Sequence, residues 1–188
     1  MDNRANILSC ALKLFASRGY DAVGVQEIVE AAGITKPTLY HYFGSKQGLL
    51  DVLLKEYFDQ LYAAIKTAST YRGDLPFTLN QVAAAHFYFA NNNKMFYRLQ
   101  LALWFAPPAS DAFKVVSQLN NQVYQLIEDL FVRAAADHGN MKGRQRAYAA
   151  TFIGMINNYI ALSLNGYAKL DDQLLYQAVH QFMHGIFS

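Results

Sequence analysis

The stretch GITKPTLYHYFGSK, residues 33–46, combines helix-boundary signals with an unusual density of polar aromatic and basic side chains. Gly33 can end one helix because glycine readily adopts the left-handed conformation, and Pro37 suits the first turn of the next, where its missing N–H costs nothing. This next helix must be short, since Gly44 follows Phe43. A core helix would carry aliphatic residues instead, so these rings predict a surface that binds a partner.

Apolar positions on both sides of this turn predict a helix-turn-helix. Residues 25–32 repeat apolar side chains at helical spacing, and Thr35 is placed to cap a second short helix. Ile28, Ile34 and Leu39 can hold the two helices together, which leaves the opposite face free. In such motifs the second helix lies in the major groove of DNA.

The free face of this second helix carries groups suited to DNA. Hydrogen-bonding groups on planar apolar bodies can contact phosphates, base edges and thymine methyls. Residues 34–47 contain no acid, although residues 1–56 contain six Lys and Arg against six Asp and Glu, so the charge is sorted locally. The free face consists of Lys36, Thr38, Tyr40, His41 and Tyr42. The alternative for the two tyrosines is that their rings cover an edge of the core.

Helical periodicity continues through the rest of the chain, and alternating strand patterns are absent. We therefore predict an all-α fold of about nine helices. The first helix is expected to be capped by Asn3 and to end at Gly19, and Ser45 is expected to cap the fourth. The predicted bounds of the fourth to ninth helices are about residues 46–68, 77–90, 94–105, 110–138, 143–165 and 171–186.

Composition sets the class of protein. The 188 residues are 53% hydrophobic and 16% charged, which indicates a globular chain long enough to bury a core. A net charge of +2 is too small to indicate nucleic-acid binding by itself. Cys10 is the only cysteine, which excludes an intrachain disulfide and favours a reducing, cytoplasmic setting.

Residues 147–164 approach the length of a membrane span, but Asn157 and Asn158 near the middle argue against one. A helix that is apolar on nearly all faces also suits a subunit interface. Small residues in this stretch, which would permit close approach, are Ala149, Ala150 and Gly154. We therefore expect a homodimer formed by the eighth and ninth helices, and no membrane partner.

The segment from residue 5 to about residue 56 resembles the DNA-binding domain of the tetracycline-repressor-like (TetR) family of bacterial transcriptional regulators. The ordered positions that carry the resemblance are Phe15, Gly19, Tyr20, Val25, Ile28, Ala32, Gly33, Leu39, Tyr40, Tyr42, Phe43, Lys46 and Leu49. The resemblance implies an all-helical homodimer whose N-terminal domain, residues 1–48, binds a palindromic operator. Residues 49–188 would form a divergent domain that binds a small molecule and dimerises, with the fourth helix as the connection.

The resemblance also assigns interactions with DNA, including a phosphate contact for Lys46. The expected DNA-binding residues are Gly24, Val25, Thr35, Lys36, Pro37, Thr38, Tyr40, His41, Tyr42 and Lys46. Val23 and Gly24 stand where the family usually has a Thr or Ser pair, so no side-chain hydroxyl is available there for a phosphate, although backbone N–H groups can still bind an anion. Val29 stands where the family favours Ala, and the bulkier side chain can shift the recognition helix slightly.

Aromatic density beyond residue 56 predicts a mainly apolar pocket with a few polar anchors. The candidate pocket residues are His86, Phe89, Gln100, Trp104, Phe105, Asn120, Tyr124, Asn158 and Tyr159. Core, interface or surface positions remain the alternative for each. Because buried charges are not clustered, the expected effector is largely neutral and hydrophobic or aromatic.

No catalytic motif occurs: the sequence lacks HExxH, a Gly-rich phosphate loop, paired cysteines and a Ser–His–Asp cluster, so neither an enzyme nor a cofactor is expected. His180 and His184 lie one turn apart, but without a third ligand nearby we expect no metal site. The predicted function is a repressor that an effector releases from double-stranded operator DNA. A constitutive or architectural DNA-binding dimer is the alternative.

Overall fold

The computed structural model describes residues 2–185, and within them the regular structure is entirely helical. The elements are α1 (Asn3–Arg18), α2 (Val25–Ala32), α3 (Lys36–Phe43), α4 (Lys46–Ala68), α5 (Leu75–Asn92), α6 (Lys94–Trp104), α7 (Asp111–Ala134), α8 (Gln145–Leu164) and α9 (Asp172–His184), with a short 3₁₀ helix at Gly139–Met141. The prediction of an all-α fold is confirmed.

Contacts between residues divide the chain into two compact units. Unit 1 consists of the residues up to Asp59 together with Lys94–Leu119, and unit 2 consists of Gln60–Asn93 together with the residues from Asn120 onward. Two of the three boundaries fall inside α4 and α7, so each of these helices contributes to both units, and the third falls between α5 and α6. The proposed division at residue 48 into a DNA-binding and an effector domain remains a prediction.

Unit 1 is organised around α1, which packs against α2 and α6. Arg4 of α1 forms an ion pair with Glu56 of α4, and the rings of Tyr57 and Phe96 stack with centroids 4.9 Å apart. The buried core formed by α1 to α4 and the loop before α2 includes Ile7, Leu12, Phe15, Val23, Ile28, Leu39, Leu49, Leu50 and Leu53. Burying each such aliphatic or aromatic side chain contributes about 1.5–3 kcal/mol.

Unit 2 is held by α5 against α8 and α9, and by α8 against α9. Three phenylalanines meet in its core: the ring of Phe152 lies 5.0 Å from that of Phe182 and 6.4 Å from that of Phe131, between centroids. Hydrogen bonds to main-chain carbonyls tie distant segments together. Arg133 donates to the carbonyl of Ser69 at 3.2 Å, which fixes the end of α7 beside the end of α4 within this unit.

Several predicted helix ends are wrong, for identifiable local reasons. Asp2, not Asn3, caps α1, because its carboxylate accepts the N–H of Arg4 at 3.0 Å. Helix α5 begins two residues early, since the carboxylate of Asp74 accepts the N–H of Phe77 at 2.8 Å.

The end of α7 also differs from its prediction. The helix stops at Ala134, and residues 135–138 of the predicted last turn are irregular chain that leads into the 3₁₀ helix. Helix α8 is correspondingly shorter at its start, beginning at Gln145. The predicted end of α9, Ile186, lies outside the described residues.

The joint between α3 and α4 is unusually close. Gly44 ends α3 with a φ of +71°, a conformation that favours glycine, and the hydroxyl of Ser45 accepts the N–H of Gly48 at 2.9 Å, as predicted for a cap. A Cβ added to Gly48 would lie 2.1 Å from the carbonyl oxygen of Phe43. Only glycine therefore permits this approach without a backbone shift.

The Gly48→Ala variant should be less stable by about 1–3 kcal/mol, the usual cost of overpacking. Urea unfolding followed by circular dichroism measures the difference. The matched control is Gly139→Ala, because a Cβ there would meet no atom within 4 Å. Equal unfolding midpoints for both variants and the parent would show that the joint tolerates a side chain.

Candidate nucleic-acid interface

The turn between α2 and α3 is built around Gly33. This residue has φ +65° and ψ +35°, in the left-handed region, and its N–H bonds to the last carbonyls of α2. The N–H of Ile34 then donates to the carbonyl of Val29 at 3.0 Å, which closes the turn. Ile28 and Leu39 are fully buried on either side of it, so the predicted helix-turn-helix packing is present in the structure.

The outer face of α3 is accessible to solvent. Leu39 and Phe43 are buried on the inner face, whereas Tyr40 is 45% exposed and Tyr42 is 41% exposed. The ring of His41 lies 5.5 Å from that of Tyr42, edge to face. Lys36 is also exposed, so the structure brings the predicted face together on one surface and gives both tyrosines substantial accessible area.

The start of α3 is arranged differently from its prediction. Thr35 occupies the cap position, but its hydroxyl does not bond to the backbone of the helix. Instead it lies 2.9 Å from the hydroxyl of Thr38. Pro37 is in the first turn, as predicted, and is exposed. The two hydroxyls therefore form a small polar pair at the exposed start of α3.

A carboxylate of the chain itself binds a backbone N–H group at the start of α2. The N–H of Gly24 donates to the carboxylate of Glu27 at 3.0 Å, and this carboxylate also pairs with Arg18. Both interactions lower the pKa of Glu27, the backbone bond being the larger cause. Because the N–H of Gly24 already donates to Glu27, the N–H groups that could donate to a phosphate are those of the first turn from Val25 onward.

Lys46 lies over an aromatic surface at the start of α4. Its Nζ is 4.1 Å from the centroid of the Tyr20 ring and 6.0 Å from that of Phe15. Partial burial lowers the pKa of Lys46, while the carboxylates of Asp21 and Glu27 oppose this effect. Such a cation–π contact positions the ammonium group at one place on the surface.

Tyr20 also anchors the first turn of α4. Its hydroxyl donates to the side-chain carbonyl of Gln47 at 3.0 Å, and the amide of Gln47 donates to Asp51 at 2.7 Å. Burial, followed by nearby carboxylates, raises the pKa of Tyr20 to about 12, so its hydroxyl keeps its proton.

Sequence reasoning missed the supporting roles of Gln47, Glu27 and Gly48. A glycine in the first turn of a long helix was the available signal for Gly48. The three-residue spacing of Glu27 from Gly24, typical of a capping box, was the signal for Glu27.

Two of the departures from the family pattern concern buried side chains. Val23 is fully buried, so it belongs to the core of unit 1 and presents nothing to DNA. Val29 is 3% exposed and packs on the inner side of α2. Both valines therefore add apolar packing where the usual residues would be smaller or more polar.

The residues predicted to line an effector pocket are distributed over both units. In unit 1, Gln100 is buried and Trp104 half-buried, with its ring 5.9 Å from that of Phe113, whereas Phe105 is 83% exposed. In unit 2, His86 and Phe89 are buried, and Asn120 and Tyr124 are half-buried. Burial lowers the pKa of His86 to about 4, so its ring is neutral at pH 7.

Asn158 and Tyr159 come together in an open groove of about 470 Å³ between α8 and α9, which we call the α8–α9 groove. Its other lining residues are Tyr148, Thr151, Met155, Gln181 and Phe182. Ala150 and Gly154 are exposed on the same helix, but Ala149 is buried in its own chain. The expectation that Ala149 offers a surface for close approach is therefore wrong.

The described residues contain no group of three His, Cys, Asp or Glu side chains arranged to hold a metal ion. The rings of His180 and His184 lie 4.5 Å apart on the exposed side of α9. Among the described helices, none combines the length and apolar character that a membrane crossing requires.

Comparison with known proteins identifies the class. Residues 7–53 match the model described as bacterial regulatory proteins, tetR family. The HTH-type transcriptional activator FasR of Mycolicibacterium smegmatis is 27% identical over 187 residues, which cover 98% of this chain and 82% of that protein. The HTH-type transcriptional repressor KstR2 of Rhodococcus jostii is 42% identical over 59 residues, 31% of this chain and 29% of that protein.

A solved structure shows the same fold over the whole chain. The transcriptional regulator FadR from Bacillus subtilis, in complex with stearoyl-CoA, has a TM-score of 0.80 at 19% identity, covering 97% of this chain and 98% of that chain. The N-terminal segment, residues 7–53, therefore matches the tetR family of bacterial regulatory proteins, which confirms the resemblance found in this part of the sequence. Its relatives are helix-turn-helix transcriptional regulators.

Replacing Lys46 by Ala should weaken binding to all DNA sequences alike. It should also reduce the slope of log affinity against log salt by about two per dimer, one for each phosphate that the variant no longer neutralises. Fluorescence anisotropy at several salt concentrations measures this slope. Lys66→Ala, in the last turn of α4, is the matched control. An unchanged slope in the Lys46 variant would contradict its phosphate contact.

Proposed function

We propose that the protein is a homodimeric repressor that binds a palindromic operator and releases it when a small, mainly apolar or aromatic effector binds. The observation that carries the proposal is the exposed, acid-free outer face of α3 within a tetR-family helix-turn-helix. One relative is named an activator and another a repressor, and for this chain we propose repression. A regulator of chromosomal DNA works in the cytoplasm.

The operator-binding groups fall into two sets. Lys36, Thr38 and Tyr40 on α3 would face base edges in the major groove, flanked by the other exposed groups of this helix. Lys46 and the N–H groups at the start of α2 would contact phosphates, which position the protein without reading sequence. Local sorting of charge supports this division, since acids are absent from the whole segment between the two helix starts at Lys36 and Lys46.

A second copy of the chain would cover α8 and α9. Exposed positions on α8 recur at three- and four-residue spacing and carry small or polar side chains: Ala147, Ala150, Thr151, Gly154 and Asn158. A Cβ on Gly154 would meet nothing within 4 Å, so this face has room for close approach of a partner helix. An obligate dimer of this kind typically buries about 2,000 Å² or more.

The effector would be taken up by the helical part of the chain beyond α3. The candidate ligand-binding residues within unit 2 are His86, Phe89, Asn120, Tyr124, Asn158 and Tyr159. The neutral ring of His86 suits an uncharged ligand group. FadR from Bacillus subtilis is described in complex with stearoyl-CoA, so acyl thioesters are the first class of effector to test. A mainly apolar lining with a few polar anchors is usual for such sites.

Helix α4 is the proposed link between effector and operator. It is continuous from Lys46 to Ala68, and its two parts belong to different units. A ligand that displaced the part after Asp59 would move Lys46 and, through the close joint at Gly48, the recognition helix. A small change in the separation of two recognition helices would then disfavour the operator-bound state, since half-site spacing is fixed by the DNA.

Operator DNA should weaken effector binding by the same factor by which effector weakens operator binding. Such couplings are typically about 1–3 kcal/mol, or roughly 5–150-fold. Calorimetric titration of stearoyl-CoA, then of shorter acyl thioesters and neutral aromatic compounds, with and without operator, measures this factor. Tyr124→Ala should abolish the response and leave operator affinity of the free dimer nearly unchanged.

Trp104→Ala is a second variant for the same titration, although it also removes the packing of Trp104 against Phe113. Equal effector affinity in the presence and absence of operator would contradict the repressor mechanism. The constitutive DNA-binding dimer would then be the better account.

A further inference from the structure

Unit 2 contains a cavity of about 280 Å³ near the connection between α7 and α8, which we call the distal cavity. Its walls are mainly apolar and include Leu75, Leu79, Phe131, Met141, Phe182 and Met183. Its volume is close to the lower limit of about 300 Å³ for small-molecule sites, which suits an alkyl chain better than a multi-ring ligand. None of the residues proposed for the effector pocket lines it.

Two cationic side chains, Lys142 and Arg144, lie close in sequence to residues of the cavity wall. Lys142 directly follows Met141 of the wall, and the carbonyl of Arg144 accepts the N–H of Tyr148, another wall residue, at 3.0 Å. Arg144 and Tyr148 are therefore one helical turn apart on the same side. Both cations are exposed, and neither forms an ion pair with any described residue.

The acids nearest to this cavity along the chain form no ion pair with either cation. Asp137 accepts the hydroxyl hydrogen bond of Tyr71 at 2.7 Å, and Asp74 accepts the N–H of Phe77 at 2.8 Å. The sequence contains no further acid from residue 138 to residue 170. Lys142 and Arg144 are therefore left as charges that an anion could match beside an apolar cavity.

We propose that the distal cavity binds an anionic amphiphile of medium chain length, with its alkyl chain in the apolar walls and its carboxylate or phosphate head at Lys142 and Arg144. This binding site is independent of the proposed repressor mechanism. Tyr148 and Phe182 line both the distal cavity and the α8–α9 groove, so a bound alkyl chain would contact two residues of the surface proposed for dimerisation.

Calorimetry with four probes of equal chain length tests the site: decanoate, decyl phosphate, 1-decanol and decyltrimethylammonium, each below its micelle concentration. Both anions should bind more tightly than the alcohol, and the cation should bind most weakly. The ratio of the dissociation constants of decanoate and decyl phosphate shows which head group is preferred. Raising NaCl from about 50 to about 500 mM should weaken binding of the anions but not that of the alcohol, because salt screens exposed charges.

The double variant Lys142→Gln, Arg144→Gln should weaken decanoate about fivefold to tenfold, as expected for two solvent-screened charge interactions, and leave 1-decanol unchanged. Arg146→Gln is the matched control, because its position two residues before Tyr148 is about 200° away around the helix. Met183→Trp, whose larger side chain would fill part of the cavity, should reduce binding of every probe.

Three results would overturn the proposal: no binding of any probe, equal affinity for decanoate and 1-decanol, or an equal reduction in decanoate affinity in the double variant and the Arg146 control. Circular dichroism confirms that each variant is folded. The titrations contain no DNA, so failure of the repressor mechanism would leave their outcome unaffected.

Discussion

The close approach of α4 to the end of α3 is the constraint on which the DNA-reading surface depends. The carbonyl oxygen of Phe43 occupies the space that a Cβ on Gly48 would need, at a separation of 2.1 Å. Because Leu39 and Phe43 are buried on the inner side of α3, this joint determines where the outer side points. The orientation of Lys36 and Tyr40 thus depends on this contact together with the turn at Gly33, and a displacement of α4 would alter it.

Electrostatics at this surface are arranged by pairing rather than by excess charge. The carboxylate of Glu27 is matched by Arg18 and by the N–H of Gly24, so it presents a reduced negative charge at the start of α2. Lys46 is held over Tyr20, and this interaction limits the conformations of a long side chain. A nearly neutral chain can in this way present a local cationic surface, and affinity for DNA should depend strongly on salt.

The sequence predicted the helix-turn-helix well because its signals are local. Gly33, Pro37 and Gly44 specify helix ends through backbone conformation alone, and the buried positions follow from helical spacing. The predicted end of α7 was wrong, since nothing in the local sequence pattern marks Ala134 as the last residue of the helix. The distal cavity was missed because segments far apart in sequence form its walls. Effector residues remain predictions for the same reason, as burial alone does not separate a core aromatic ring from a pocket lining.

In the proposed mechanism, two copies of the outer face of α3 read DNA. Selection of binding sites from random duplex DNA tests it most directly, with the parent, Lys36→Gln, Tyr40→Phe and the control Tyr88→Phe on α5. We predict a two-fold symmetric site with half-sites in successive major grooves. Both α3 variants should change the preferred bases at equivalent positions of the two halves, and the control should not. An asymmetric site, or one identical for all four proteins, would contradict the account.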